Sequence, residues 1–286
     1  MSSLTELPQI RYEDPLERID WQGVDRECWW LPPQLLSLAG VPEFEQLTVR
    51  ARQQVSHLEY VHLLEAGLWL ESQFMGRLAR LAHRSADVAH RARFLHEVRE
   101  EAGHSLMFVE LLQRSGYGAA GARGFGTRAV DLCGNLLSSR SALFWAMVVI
   151  GEELPDQLNR RLRRGVEEAT LSAVVYRIAD IHTRDEAMHC AFAREQCRQS
   201  AARCPAWQRA LLAPALSVAF DLYARYVYFP SAAIYARAGL APARLWRVRA
   251  LANVHRRTLV ARMLRPTLEF LNRSGWRVSS GYCPQH

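Results

Sequence analysis

The chain has 286 residues, 49% hydrophobic and 23% charged, which is enough length and apolar content for a sizeable core and excludes an intrinsically disordered class. Its 36 basic residues, all Arg, outnumber 29 acidic ones and leave a formal charge of +7, which favours acidic partners; the Arg are spread along the chain with no recognition motif among them, which argues against nucleic acid. Six Cys without a Cys-x-x-Cys fit a reducing cytoplasm, and the longest apolar run, Ala142 to Ile150, falls far short of the roughly 20 residues that cross a bilayer.

Residues 1–40 are expected to be irregular, interrupted by Pro8, Pro15, Pro32 and Pro33, with Trp21, Trp29 and Trp30 packing them onto the body. No signal peptide is visible at Met1 to Glu6. A long helix is predicted from Glu43 to Ala82, because Tyr60, Leu64, Leu68, Met75, Leu78 and Ala82 recur at helical spacing. Glu71 falls in the middle of that stripe and Glu65 about 100° to one side. A lone carboxylate within an apolar stripe is costly to bury unless paired or metal-bound, so Glu71 is the preferred candidate and Glu65 the alternative. Glu59 and His62, on the far side of the same helix, read as solvated surface.

His83-Arg84-Ser85 makes a turn into a second helix, about Ala86 to Arg114. Gly116, Gly118, Gly121, Gly124 and Gly126 then break the pattern. A third helix is predicted over Val130 to Arg164, closed by Gly165, and a fourth over Glu167 to Ala201. Cys190, Cys197 and Cys204, spaced by seven, read as small buried residues on one side of it. Further helices follow at about Trp207 to Tyr228 and Pro242 to Asn272, where Tyr223, Tyr226, Tyr228 and Phe229 are expected to pack the bundle. The pattern is all-α: helix pair, long connection, helix pair. It predicts a single domain over 1–286, an extended ferritin-like four-helix bundle with one long crossover and additional C-terminal helices, the metal-binding helices lying within 43–201.

Two segments share one short pattern, Glu100-Glu101-Ala102-Gly103-His104 and Asp185-Glu186-Ala187-Met188-His189. On a helix, residues three apart share a face, so each segment aims a carboxylate and an imidazole at one point. Two such segments, with one further Glu from each of two other helices, are the ingredients of a carboxylate-bridged di-iron or di-manganese site. Glu71 and Glu153 stand 30 and 33 residues before the motif Glu of the helix that follows, the separation of neighbours across a helical hairpin. Glu152, adjacent to Glu153, remains open as its alternative. His182, one turn before Glu186, shares a face with Glu186 and His189. The expected ligand set is therefore Glu71, Glu101, His104, Glu153, His182, Glu186 and His189. A ligating His commonly donates its other N–H to a carboxylate, so Asp185 is expected to orient His104, and Glu100 to orient His189, across the bundle.

Over about 45–200 the chain resembles the di-iron N-oxygenases typified by p-aminobenzoate N-oxygenase. The resemblance rests on Glu-Glu-Ala-Gly-His-Ser-Leu-Met-Phe at 100–108, Gly-Glu-Glu-Leu-Pro-Asp at 151–156 and Ile-His-Thr-Arg-Asp-Glu-Ala-Met-His at 181–189. It implies two iron ions held by Glu101, His104, His182, Glu186, His189 and a Glu at 152 or 153. It also implies a peroxo-di-iron oxidant formed from O2, and stepwise oxidation of a small-molecule amine toward hydroxylamine and nitro products in natural product biosynthesis. Manganese suits the same donors. An external electron donor such as an acidic ferredoxin, an acidic carrier protein and a homodimeric assembly are the expected partners. A di-iron hydroxylase or desaturase acting on a carrier-bound substrate is the alternative activity.

Overall fold

In the computed structural model, which describes residues 12–118, 138, 141–164 and 171–283, the secondary structure is helical. Among the described residues there is no β-strand, only two isolated bridges, Trp29 to Leu171 and Ser280 to Cys283. The principal helices are α1 (Pro42–Glu45), α2 (Val49–Arg84), α3 (Val88–Ser115), α4 (Ala142–Arg164), α5 (Ala173–Arg203), α6 (Ala206–Tyr228), α7 (Ala232–Arg237), α8 (Ala243–Ala252) and α9 (Val254–Arg273). The expected helix start at Val130, most of the Gly-rich segment, and Gly165 and Glu167 lie outside the described residues.

Local chemistry sets most boundaries. Thr48 takes an extended conformation and its side chain accepts from the Ala51 N–H at 3.3 Å, an N-cap that starts α2 afresh. The helix expected to run unbroken from Glu43 is therefore split into α1 and α2. Asp87 caps α3 through its Oδ1, which accepts from Ala89 N at 2.7 Å and His90 N at 3.1 Å. Gly116 ends α3 in the left-handed region, φ 66°, where a side chain would be strained. The last predicted helix is also split, at Asn253. Its Oδ1 caps α9 through His255 N at 3.0 Å, while its Nδ2 donates to the Ser37 and Ala39 carbonyls, each at 2.9 Å.

α2 packs along α3 and α4 along α5, the two hairpins of the predicted bundle, with α3 against α5 and α2 against α4 closing the four. α6 and α9 pack on α4, and α7 on α2. The N-terminal segment is irregular apart from two 3-10 turns, Trp21–Gly23 and Pro33–Leu35. Trp30 is fully buried and Trp21 and Trp29 partly so. The stretch Ala206–Arg237 is long and apolar enough to cross a membrane by length and composition, with mean hydropathy 1.2, although the helix breaks at Phe229 to Ser231 between α6 and α7.

The reading of Glu59 and His62 as solvated surface is overturned. The Glu59 carboxylate is buried and accepts from the Ser37 N–H at 3.0 Å and from the Ser37 hydroxyl, which also meets the Tyr235 hydroxyl at 2.7 Å. His62 Nε2 donates to the Tyr226 carbonyl at 2.8 Å. The N-terminal segment and the C-terminal helices cover this face of α2, which a bare four-helix bundle would have left to water.

Candidate metal centre

Four helices bring their carboxylates and imidazoles to one place near the middle of the bundle. α2 supplies Glu71, α3 supplies Glu101 and His104, α4 supplies Glu152, and α5 supplies His182, Glu186 and His189. Two donor groups form. Glu71, His104, His182 and Glu186 each offer one atom within 4.8 Å of the others, and so do Glu101, Glu152, Glu186 and His189. Glu186 belongs to both, so its two oxygens stand between them. The expected Glu153 is not part of either group. Its carboxylate is turned to Arg194, with Nη2 donating at 2.9 Å, and to the Thr267 hydroxyl at 2.7 Å. Adjacent helical residues point about 100° apart, so only one of the pair can face the bundle axis, and that residue is Glu152. Glu65 is in neither group.

The imidazoles approach from different atoms. His104 Nδ1 lies 3.3 Å from Glu186 Oε1 and 3.5 Å from Glu101 Oε2. His189 Nδ1 lies 3.1 Å from Glu101 Oε1 and 3.4 Å from Glu186 Oε2. His182 instead presents Nε2, 3.3 Å from Glu71 Oε1 and 3.8 Å from Glu186 Oε1. The outer nitrogens are also engaged: His104 Nε2 stands 3.4 Å from Asp185 Oδ2, and His189 Nε2 lies 2.9 Å from Glu100 Oε2. These are the two cross-bundle contacts expected from the acids preceding each motif Glu. His182 Nδ1 meets the Asn159 side-chain amide at 3.2 Å, and the Phe108 ring stacks on the same imidazole at 5.5 Å.

The electrostatics are those of a site built for cations. Glu71, Glu101, Glu152 and Glu186 are all buried, and four carboxylates this close cannot all be charged. Burial, with the neighbouring Glu101 charge, raises Glu71 well above its usual range, and burial with the Glu186 and Glu101 charges does the same for Glu152. Burial opposes ionisation of Glu101 too, but the hydrogen bond from Glu71 and the charge of His189 outweigh it and hold Glu101 at about 2. Glu186 is likewise pulled well below the carboxylate range, against burial, by His189 and His104. Those two imidazoles are raised well above the histidine range, again against burial, His104 by the neighbouring Asp185, Glu101 and Glu186 carboxylates and His189 by the Glu186 and Glu101 charges. Burial leaves His182 neutral, at about 4. Protons thus occupy the positions that cations would take, and metal binding must release them.

Glu101 Oε2, His104 Nδ1, Glu186 Oε2 and His189 Nδ1 are buried without a hydrogen-bond partner. Orphaned donors and acceptors are costly unless something satisfies them. Four of them converging between the two donor groups, all oxygen or imidazole nitrogen, fit a pair of iron or manganese ions.

Two glycines allow close approach around this centre, Gly151 admitting α2 against α4 and Gly103 admitting the N-terminal segment against α3. A Cβ on Gly151, next to Glu152, would meet Phe74 Cζ at 2.8 Å, and one on Gly103, next to His104, would meet the Tyr12 hydroxyl at 2.8 Å. A narrow cleft runs to the centre, reaching Glu101, Glu152 and His189. Phe74, Phe144, Trp145 and Phe192 line it. Arg77 stands on its wall with its guanidinium 5.4 Å from the Phe144 ring centroid and Nη2 buried without a hydrogen-bond partner. Burial and the neighbouring Arg80 and Arg84 charges lower its pKa.

Sequence reasoning missed Asn159, Arg77 and Arg18, whose Nη1 lies 3.6 Å from Asp185 Oδ2. Asn159 stands two helical turns after Glu152, so the spacing held a signal. Arg18 reaches the centre only through the tertiary path of the N-terminal segment.

Residues 1–275 match the p-aminobenzoate N-oxygenase AurF family, and the chain belongs to that family. Uncharacterized proteins of Mycobacterium bovis and Mycobacterium tuberculosis are 25% identical to it over 215 residues, covering 73% of this chain. The chain spans 63% of the length of these relatives.

Proposed function

We propose that this member of the p-aminobenzoate N-oxygenase family is a di-iron enzyme that oxygenates the nitrogen of a small aromatic amine. The observation that carries the reading is the pair of buried donor groups joined at Glu186, with orphaned ligand atoms between them and an aromatic cleft leading to them. Glu71, His104, His182 and Glu186 would hold one ion, and Glu101, Glu152, Glu186 and His189 the other. Asp185, Glu100 and Asn159 would fix the three imidazole rings. Iron bound there supplies the chemistry of O2 activation, with electrons from an external donor.

The rest is done by the chain. Phe74, Phe144, Trp145 and Phe192 exclude water from the cleft and offer ring faces to an arylamine. The free Nη2 of Arg77 would take an acidic group on the ring, a charge-assisted bond that sets which end of the substrate faces the metals. Replacing Arg77 by Leu is expected to raise KM for a carboxylated arylamine at least tenfold while leaving a neutral arylamine within about twofold, since a charged hydrogen bond contributes roughly 1.5–3 kcal/mol. Steady-state kinetics on the two substrates checks it.

The test of the function itself is to load the metal-free protein with ferrous iron under anaerobic conditions, count the iron, and then supply O2, reductant and an arylamine. Two irons per chain and conversion to hydroxylamine or nitro product are expected. Iron binding without any N-oxygenated product from free amines, but with hydroxylation of a carrier-tethered one, would replace this reading with the hydroxylase alternative. Absence of tight iron would remove both.

A further inference from the structure

The aromatic rings around the metal centre differ in how readily they lose an electron, and they are sorted by place. Phe74, Phe144 and Phe192, on the cleft wall, resist one-electron oxidation; the fourth ring there, Trp145, is the exception. Other readily oxidised rings lie in the seam where α6 packs over α2 and α4. Tyr223 of α6 donates its hydroxyl to the Gly151 carbonyl at 3.3 Å, one residue before Glu152. Burial above all, with nearby charges that include Glu152 and Glu71, raises its phenol well above the usual range. The ring therefore stands close to a carboxylate of each donor group. Trp69 follows at 6.3 Å between ring centroids, and Tyr226 lies 5.6 Å beyond Trp69. Both separations fall within the roughly 4.5–7 Å of packed aromatic pairs. Trp69 stands two residues before Glu71, about 200° around α2 from that carboxylate, and so faces α6 rather than the bundle axis. Trp69 is buried and Tyr226 is partly exposed.

We infer that Tyr223, Trp69 and Tyr226 form a path that drains oxidising equivalents from the centre when O2 has oxidised the metals and the cleft holds no amine. The inference rests on the di-iron reading above. In each transfer the oxidised metal pair gains one electron, which Tyr226 supplies through Trp69 and Tyr223. The Tyr226 phenol gives its proton to water and is left as a neutral phenoxyl radical. A thiol in solution then returns a hydrogen atom to that oxygen and ends as disulfide. Tyr226 is the terminus because the inner rings cannot keep the vacancy. The Tyr223 hydroxyl is held by a carbonyl, too weak a base to take its proton, and a cationic indole at Trp69 would be a buried charge without a partner. The path leads away from the cleft, so oxidation ends where no substrate or metal ligand is damaged.

The test is electron paramagnetic resonance on the iron-loaded full chain, frozen at intervals after O2 and reductant are added without an arylamine. A tyrosyl signal is expected, changed in shape when the protein is grown on ring-deuterated tyrosine. Tyr226→Phe, which removes a hydroxyl and keeps the ring, should lower the signal at least tenfold. Trp69→Phe, which breaks the series at its middle, should do the same. Both variants should bind iron as the native protein does and oxidise an arylamine at a rate within about twofold of it. After repeated O2 exposure without amine, each should lose its activity at least threefold faster than the native protein. Two irons per chain and N-oxygenated product without any protein radical would overturn this inference and leave the proposed function standing. A radical that persists in Tyr226→Phe, or one on Trp145 of the cleft, would also overturn it. Absence of bound iron would remove the proposed function and this inference together.

Discussion

Glu152 and Glu153 are chemically identical neighbours with opposite surroundings. Glu152 faces two other carboxylates, Glu101 and Glu186, and the His189 imidazole, while Glu153 is closed by Arg194 and Thr267. Replacing Glu152 by Gln is therefore expected to lower iron from two toward one per chain. Glu153→Gln should retain both irons and instead cost about 1–3 kcal/mol of stability, because it weakens a charged bond to Arg194. Iron analysis beside urea unfolding separates the two, and iron loss on Glu153→Gln alone would reverse the assignment. Asp185 acts one atom further out, through His104 Nε2. Asp185→Ala is expected to weaken iron affinity 10–100-fold, as loss of such supporting carboxylates commonly does. A metal titration showing a change of less than twofold would remove Asp185 from that role.

Among the elements, the contact between α2 and α4 depends on Gly151. An added Cβ would sit 2.8 Å from Phe74 Cζ and 3.1 Å from Leu70 Cδ1, so the ring and the methyl must shift to admit it. Gly151→Ala is expected to destabilise the protein by about 1–3 kcal/mol, the usual effect of overpacking, and to shift Glu152 away from Glu186. A lowered unfolding midpoint together with lowered iron content would bear this out, whereas unchanged values for both would show that α4 has slack there. Helix boundaries follow the same logic of local chemistry: Thr48 and Asn253, good caps inside long apolar periodicities, divide what periodicity alone runs together.

For the whole molecule, the cover laid over α2 has a pH signature. His62 sits beneath α6, and burial, with the nearby Arg256 charge, holds it down to about 4 despite its bond to Tyr226. The unfolded chain protonates this imidazole below about pH 6.5 while the folded one stays neutral to about pH 4. Across that window the unfolded state binds the extra proton, so stability falls as pH drops, by roughly 1–3 kcal/mol in total. His62→Gln, which can still donate to the Tyr226 carbonyl, should flatten this part of the stability profile. Urea midpoints of both proteins between pH 7 and pH 4 check it, and parallel profiles would show that His62 does not titrate on unfolding.

Much of the fold and the centre was legible in the residues themselves. The two Glu-x-x-His motifs, His182 one turn before Glu186, and Glu71 within an apolar stripe are all statements of 3.6-residue periodicity, a property local to each helix. So are the two helical hairpins. The choice between Glu152 and Glu153 was not local, because the apolar pattern there wraps around the helix and only the positions of α2 and α5 settle which side is inward. Glu59 and His62 are covered by segments outside their own helix, Ser37 backed by Tyr235 over the one and Tyr226 over the other. Arg77 became a candidate for substrate contact only when Phe144, distant in sequence, closed the same cleft. Periodicity along one helix determined which residues could share a face. Which faces meet, and what covers them, depends on loop paths and packing between distant segments, and the tertiary structure alone decided it.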